Sequence, residues 1–391
     1  MKRNYKKQYL LYSVALSLLV SCSGPAEQKA EAGDSTSTAK AMIPDAKNFE
    51  GEVNGKAVKL YTLKNSKGVN VAITNYGGRV VSLMVPDNKG NLTDVVLGYD
   101  SVKTYQKPKE PFFGAIIGRY GNRIRKGKFS LDGKAYQLDI NDGVNTLHGG
   151  FKGFYSQVFD ATQVNDTTLN LTYVSKDGEG GYPGTLTTKV IYTLTGENGL
   201  KIDYTATTDK TTIVNLTNHA YFNLNGAGDS TILDNLVKIN ADNITPVDTT
   251  LIPTGKLLPV KGTPFDFTTA KAIGANINDK DDQLKNGKGY DHNFALNKHD
   301  GKTSVATISS PKTGIVMDIF TEEPGLQFYS GNFLTGATHD GKGGKAYPHR
   351  SAFCVETQHF PDAPNESSFA STVLKPGQTY HTSTTYKFST K

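Results

Sequence analysis

Beyond about residue 46, apolar and polar side chains alternate with a period of two along nearly every recognisable segment. Phe129 and Leu131 alternate with polar neighbours, as do Tyr136 and Leu138, and Asp132-Gly133 lies between the two runs. Asp-Gly accepts the positive φ angles of a type I′ turn, so this segment predicts a tight β-hairpin. Val190, Tyr192 and Leu194 lead through Glu197-Asn198-Gly199 into Leu200, Ile202, Tyr204 and Ala206, which predicts a second hairpin with a longer loop. Leu169, Leu171 and Tyr173 keep the same period, and so do Ile315, Met317 and Ile319. Apolar residues at helical spacing over a dozen positions are hard to find. So many half-buried strands must close face to face, which predicts an all-β fold, a large antiparallel β-sandwich. No second linker and no internal repeat interrupts residues 46–391, so they read as one domain. A wide antiparallel sheet of this kind has room on one curved face for a groove of polar side chains.

The first 45 residues break the pattern. Lys2, Arg3, Lys6 and Lys7 precede an apolar run over 10–20 that is interrupted only by Tyr12, Ser13 and Ser17. The run is shorter than the roughly 20 residues a bilayer span needs, and it suits the core of a secretory signal peptide. It ends in Leu19-Val20-Ser21-Cys22, which resembles a lipobox. The expectation is a lipoprotein signal peptide over 1–21, cleavage before Cys22 and a diacylglyceryl thioether on its sulfur. The plainer alternative is an ordinary signal peptide with an incidental cysteine. Residues 23–45 are rich in Ala, Ser, Thr, Gly and charge, with almost nothing apolar, so 22–45 read as the lipidated cysteine and a flexible tether. Cys354, the other cysteine, then has no disulfide partner.

Composition changes this picture in two ways. Forty glycines and twenty tyrosines, with abundant Thr, fit strands joined by turns. The net charge is +6, and the four basic residues before the apolar run carry +4 of it, leaving +2 on the processed chain. A body so near neutral, without a basic cluster, has no footprint for nucleic acid.

Four stretches carry polar, ionisable and aromatic residues where a plain strand needs none. They are Gly118-Arg119-Tyr120-Gly121-Asn122-Arg123-Ile124 with the later Leu147-His148-Gly149-Gly150; Thr217-Asn218-His219-Ala220-Tyr221-Phe222-Asn223-Leu224; Tyr290-Asp291-His292-Asn293-Phe294; and Pro324-Gly325-Leu326-Gln327-Phe328-Tyr329 with Phe353-Cys354-Val355-Glu356-Thr357-Gln358. Taken alone, His148 reads equally as a turn residue, His219 as a hydrogen-bonded core histidine, and Asp291 as a turn cap. Glu356 is different, because it interrupts an apolar strand. A carboxylate buried there needs partners or a cavity, or its pKa must shift. That marks it as a functional candidate on its own surroundings.

Rival chemistries lack their patterns. There is no HExxH, no CxxC and no His pair at i, i+4, so a metal site is not expected. Gly341-Lys342-Gly343-Gly344-Lys345 lacks the phosphate-loop spacing and its Ser or Thr. The acidic pair Glu322-Glu323 reads as a solvated strand end.

Together the four stretches resemble the aldose 1-epimerase (galactose mutarotase) family. The likeness runs from Asn75-Tyr76-Gly77-Gly78 to Tyr386-Lys387-Phe388-Ser389, through Gly-Asn-Arg-Ile, Leu-His-Gly-Gly, Thr-Asn-His-Ala-Tyr-Phe-Asn-Leu, Ile-Pro-Thr-Gly, Asp-His-Asn-Phe and Glu-Thr-Gln-His-Phe-Pro-Asp-Ala in order. Tyr120-Gly121 and the N-terminal tether depart from the family pattern without touching a role-bearing position. The resemblance implies a large antiparallel β-sandwich and interconversion of the α and β anomers of free hexoses. It assigns Glu356 as general base and His219 as general acid, the latter protonated near neutral pH. His148 would assist at the ring oxygen, and Asn122, Arg123, Asp291 and Gln327 would hold sugar hydroxyls. It implies no cofactor, aldoses as the only partners, and a monomer or weak dimer. The membrane would be met through the lipid anchor alone, in a bacterial envelope, periplasmic or outer-membrane-associated. The alternative is a surface sugar-binding protein that kept the fold without turnover.

Overall fold

The computed structural model describes residues 43–391. The expected signal peptide, Cys22 and all but the last three residues of the expected tether lie outside them. Both hairpins form as their turn chemistry dictates. Lys128–Leu131 pairs antiparallel with Lys134–Gln137, and Asp132 and Gly133 take φ angles of 49° and 78°. Leu186–Leu194 pairs with Gly199–Thr208, with Leu194 opposite Leu200.

The strands build two layers. One is a nine-stranded antiparallel sheet, in which the last strand, Tyr380–Thr390, lies between Gly199–Thr208 and Ile315–Thr321. Along Leu186–Leu194 every second side chain is buried and those between are partly or fully exposed, so this sheet has one dry face and one wet face. The facing layer holds two sheets. A four-stranded one comprises Leu60–Lys64, Asn70–Thr74, Arg79–Pro86 and Leu92–Asp94. A five-stranded one runs Leu258–Pro259, Asn243–Ile244, Asp291–Ala295, Gly325–Tyr329, Cys354–Gln358. A single apolar cluster joins all three, with Val71 and Leu83, Val190 and Ile202, and Leu326, Phe328 and Val355 among its members. Each such side chain contributes about 1.5–3 kcal/mol by leaving water, and their sum holds the layers together.

Helix is confined to short pieces. Asp282–Gly287 is started by Asp281, whose carboxylate accepts from the backbone N–H groups of Gln283 and Leu284. No helix among the described residues is long and apolar enough to cross a membrane.

The five-stranded sheet departs from the dry/wet pattern, and this positions the site. Its strands Gly325–Tyr329 and Cys354–Gln358 are buried along their whole length. Successive side chains point to opposite faces, so Phe294, Leu326, Phe328, Val355 and Thr357 meet the core. Asp291, Asn293, Gln327, Tyr329, Cys354, Glu356 and Gln358 share the other face. In register, Asn293 lies opposite Gln327, and Gln327 opposite Glu356. The polar groove expected of a wide sheet is thus carried by the smaller sheet of the facing layer.

The reading of Glu322-Glu323 needs correction. Glu322 is exposed, but Glu323 is buried, and its Oε2 lies 2.6 Å from His359 Nδ1. A half-buried partner 36 residues away in sequence has no local signature.

Candidate active site

Two short pairings deliver the histidines to the polar face. Thr217–Asn218 pairs with Ile116–Ile117. Asn218 then fixes the turn: its Nδ2 donates to the Gly114 carbonyl and Tyr192 hydroxyl, and its Oδ1 accepts from Ala220 N–H. His219 follows at the strand end. Arg123–Ile124 pairs with Thr146–Leu147, and Asn122 and His148 flank this bridge, both left-handed with φ of 63° and 51°. They hold each other. His148 N–H donates to the Asn122 carbonyl and Asn122 N–H donates to His148 Nδ1, each at 3.1 Å. Gly149 must be glycine here, because φ is 88° and a Cβ would lie 2.0 Å from the Gly118 carbonyl oxygen.

The two arginines of the first motif separate. Arg119 is buried and donates to the Pro183 and Gly184 carbonyls and to Ser175 Oγ, pinning loops together. Arg123 reaches the site, with its Nε 2.7 Å from Asp142 Oδ2 and no hydrogen bond from its terminal amino groups among the described residues. His292 falls on the core face, edge-on to Phe265 with ring centroids 4.6 Å apart.

Glu356, His219, His148, Asn122, Arg123 and Asp291 line one cavity of 280 Å³. That is near the small end of ligand pockets, the size for a monosaccharide rather than a polymer. His219 Nε2 lies 3.6 Å from Glu356 Oε1, and the rings of His148 and His219 are 5.0 Å apart, edge to face. Phe112 packs 4.8 Å from the His148 ring, and Tyr221 stacks on His219 at 5.1 Å. Glu356 Oε2 is buried without a hydrogen-bond partner among the described residues, which adds to the cost of its charge. Gln327 does not line the cavity; its Nε2 donates to Asp291 Oδ1 at 2.7 Å and orients that carboxylate. Of the aromatics in these stretches, Tyr221 lines the cavity while Phe222 and Phe328 belong to the core.

Burial sets the electrostatics. It pushes the Glu356 carboxyl well above its ordinary range, with Asp291 adding to the effect and Arg123 opposing it. It lowers His219 to about 3, helped by Arg79 and Arg123. His148 is held well below its ordinary value by burial, then by His219 and Arg123. The expectation was a His219 protonated near neutral pH; burial acts the other way and favours the uncharged ring at both histidines.

Two histidines and a glutamate within 4.8 Å also resemble a cation site. The hydrogen bond that His148 makes on its other ring nitrogen speaks against it. A ligating histidine donates its other N–H to an acceptor, whereas His148 Nδ1 receives Asn122 N–H, so its hydrogen sits on Nε2 and no lone pair faces the pocket. Only His219 and Glu356 remain, fewer than the three protein ligands of a catalytic zinc.

Sequence reasoning missed the 109–112 wall, Asn141 and Phe333, which also line the cavity. Glu110 is clamped to buried Arg79 at 2.9 Å and accepts from the backbone N–H groups of Phe112 and Phe113. The only hint in the sequence was Pro111 beside two aromatics, which has no period.

A buried histidine–carboxylate pair lining a small pocket on an antiparallel β-sandwich is an arrangement suited to acid–base chemistry. Residues 59–387 match the family model of aldose 1-epimerase. The chain is 43% identical over 350 residues to galactose mutarotase of Rattus norvegicus, covering 89% of this chain and 99% of that one. It is 38% identical to aldose 1-epimerase of Escherichia coli, covering 86% and 96%. Among solved structures, galactose 1-epimerase from Lactobacillus acidophilus superposes with a TM-score of 0.76 at 30% identity, over 87% of this chain and 97% of that one. The chain belongs to the aldose 1-epimerase family.

Proposed function

We propose that this protein interconverts the α and β anomers of free hexoses such as galactose and glucose, with Glu356 as general base and His219 as general acid. The observation that carries this reading is the buried His219–Glu356 pair, 3.6 Å apart on the wall of a monosaccharide-sized pocket. Relatives named galactose mutarotase and aldose 1-epimerase support the substrate class.

Glu356 takes the proton of the C1 hydroxyl while His219 gives one to the ring oxygen, and the C1–O5 bond breaks. The open aldehyde turns about C1–C2. Closure on the other face reverses both transfers, so no redox change occurs. The pair must hold one shared proton for this, either as carboxylate and imidazolium or as acid and imidazole. Burial favours the uncharged arrangement at rest, and sugar hydroxyls entering the pocket supply the hydrogen bonds that the charged one needs. His148, with its hydrogen fixed on Nε2, donates to the ring oxygen and stabilises charge developing there without exchanging a proton. Arg123 and Asp291 hold hydroxyls through charge-assisted hydrogen bonds.

Polarimetry on fresh α-D-glucose and α-D-galactose tests the reading, with faster decay than buffer expected. A wild-type rate equal to buffer on every common aldose would falsify it. No observation favours the binder without turnover, for which an acid and a base so placed have no use.

The lipid anchor on Cys22, and an envelope location facing the periplasm or outer membrane, are part of the same proposal and rest on the N-terminal pattern alone. Wild type is expected to incorporate labelled palmitate and to fractionate with membranes. Cys22→Ala is expected to do neither. An unlabelled wild type overturns the anchor and leaves the catalytic reading intact.

A further inference from the structure

Cys354 is buried on the pocket-side face of the strand that carries Glu356, two residues before it. Its Sγ lies 3.5 Å from His219 Nδ1, an ordinary length for a hydrogen bond involving sulfur. On the far side of the ring, Nε2 is 3.6 Å from Glu356 Oε1, too long for a hydrogen bond. Apart from the residue's own backbone, which the ring also meets, the neighbours of the imidazole are Phe112, Tyr221 and His148, which meet it through ring faces and edges. Cys354 is therefore the one side chain hydrogen-bonded to this ring among the described residues.

The chemistry decides which way that bond runs. In ring opening, Nε2 gives its proton to O5 and is left with a lone pair. In ring closure the same nitrogen takes the proton back. Nδ1 must keep its hydrogen through both steps, and it needs an acceptor to do so. We propose that Cys354 is a positioning residue: its sulfur accepts Nδ1–H of His219 and so reserves Nε2 as the nitrogen that exchanges the proton. This rests on the functional reading above.

The contrast with His148 supports the assignment. There Nδ1 receives a backbone N–H from Asn122, which fixes the hydrogen on Nε2. Two neighbouring histidines are thus held in opposite tautomers, one a permanent donor and the other a proton carrier. Sulfur also suits the task in kind. Burial keeps the Cys354 thiol protonated and uncharged, so it orients the ring without the charge of a carboxylate. A carboxylate at Nδ1 would stabilise the imidazolium and weaken it as an acid.

Nitrogen-15 NMR of histidine-labelled protein, beside polarimetric kcat and KM, tests this on wild type and variants. At neutral pH wild-type His219 is expected to carry its hydrogen on Nδ1. Cys354→Ser supplies a hydroxyl acceptor and should keep both the tautomer and, within about threefold, kcat. Cys354→Ala should mix the tautomers and lower kcat about tenfold while leaving KM unchanged. Cys354→Asp should raise the His219 titration toward neutral pH and move the acid limb of kcat with it. Should the alanine variant not fold, Cys354→Val against Cys354→Ser replaces it, since both fill the space and only serine accepts. A wild-type hydrogen on Nε2, or an unaltered tautomer and kcat without an acceptor at 354, overturns the proposal. A wild type that binds galactose without turnover overturns the functional reading instead, and the tautomer still answers for Cys354.

Discussion

Glu356 is a carboxyl held in an environment that resists its charge, with one oxygen near His219 and the other without a protein partner. A general base contributes about 10²–10⁴-fold to rate. Glu356→Gln, nearly isosteric, is therefore expected to lower kcat by at least about 100-fold while galactose binding by calorimetry changes little. His219→Gln should behave alike, and His148→Gln should cost less, since His148 donates without exchanging a proton. The pH profile follows from the directions of the shifts. The shared proton is joined by a second only when His219 titrates, lowered to about 3, and is lost only above the raised value of Glu356. The kcat profile should therefore lack the inflection near 6.5 of an ordinary histidine, falling in strong acid as His219 titrates and again on the alkaline side above the raised value of Glu356. An acid limb centred near 6.5 would show that His219 titrates as a solvated residue.

Elements fix these residues, and two of them can be tested apart from the chemistry. Arg79 and Glu110 are both buried, and their pair holds the wall that ends in Phe112. Removing one partner of such a pair costs about 3–5 kcal/mol because the other is left unpaired. Glu110→Gln keeps some of the hydrogen bonds, so a loss near the lower end, about 3 kcal/mol in urea unfolding, and a raised KM are expected. Gly149→Ala meets the Gly118 carbonyl at 2.0 Å and is expected to displace His148, lowering kcat and midpoint together. At this scale the hairpins were fully legible, because Asp132-Gly133 and Glu197-Asn198-Gly199 state their turns locally. Glu356 was legible too, as a charge inside an apolar strand. His219 was not, since a core histidine and a pocket histidine share the same neighbours in sequence; only the family likeness separated them. The Arg79–Glu110 clamp and the Glu323–His359 pair were invisible, because each joins strands or loops more than 30 residues apart.

Residues 43–391 form a sandwich in which one core cluster spans all three large sheets. Residues 46–391 alone, without signal and tether, are expected to fold and to keep the full-length kcat within about twofold, as a change remote from a site should. Loss of activity on truncation would give the N-terminal segment a part in the fold. The strand Cys354–Gln358 has a consequence at this scale. Val355 and Thr357 are committed to the core, and Cys354 and Glu356 to the pocket, by nothing more than odd and even position. One residue inserted or deleted there would exchange the two sets, burying a carboxylate among hydrocarbons and turning valine toward the sugar. This stretch can change its letters over evolutionary time but not its length, so natural variation in the family should enter here by replacement and never by gap.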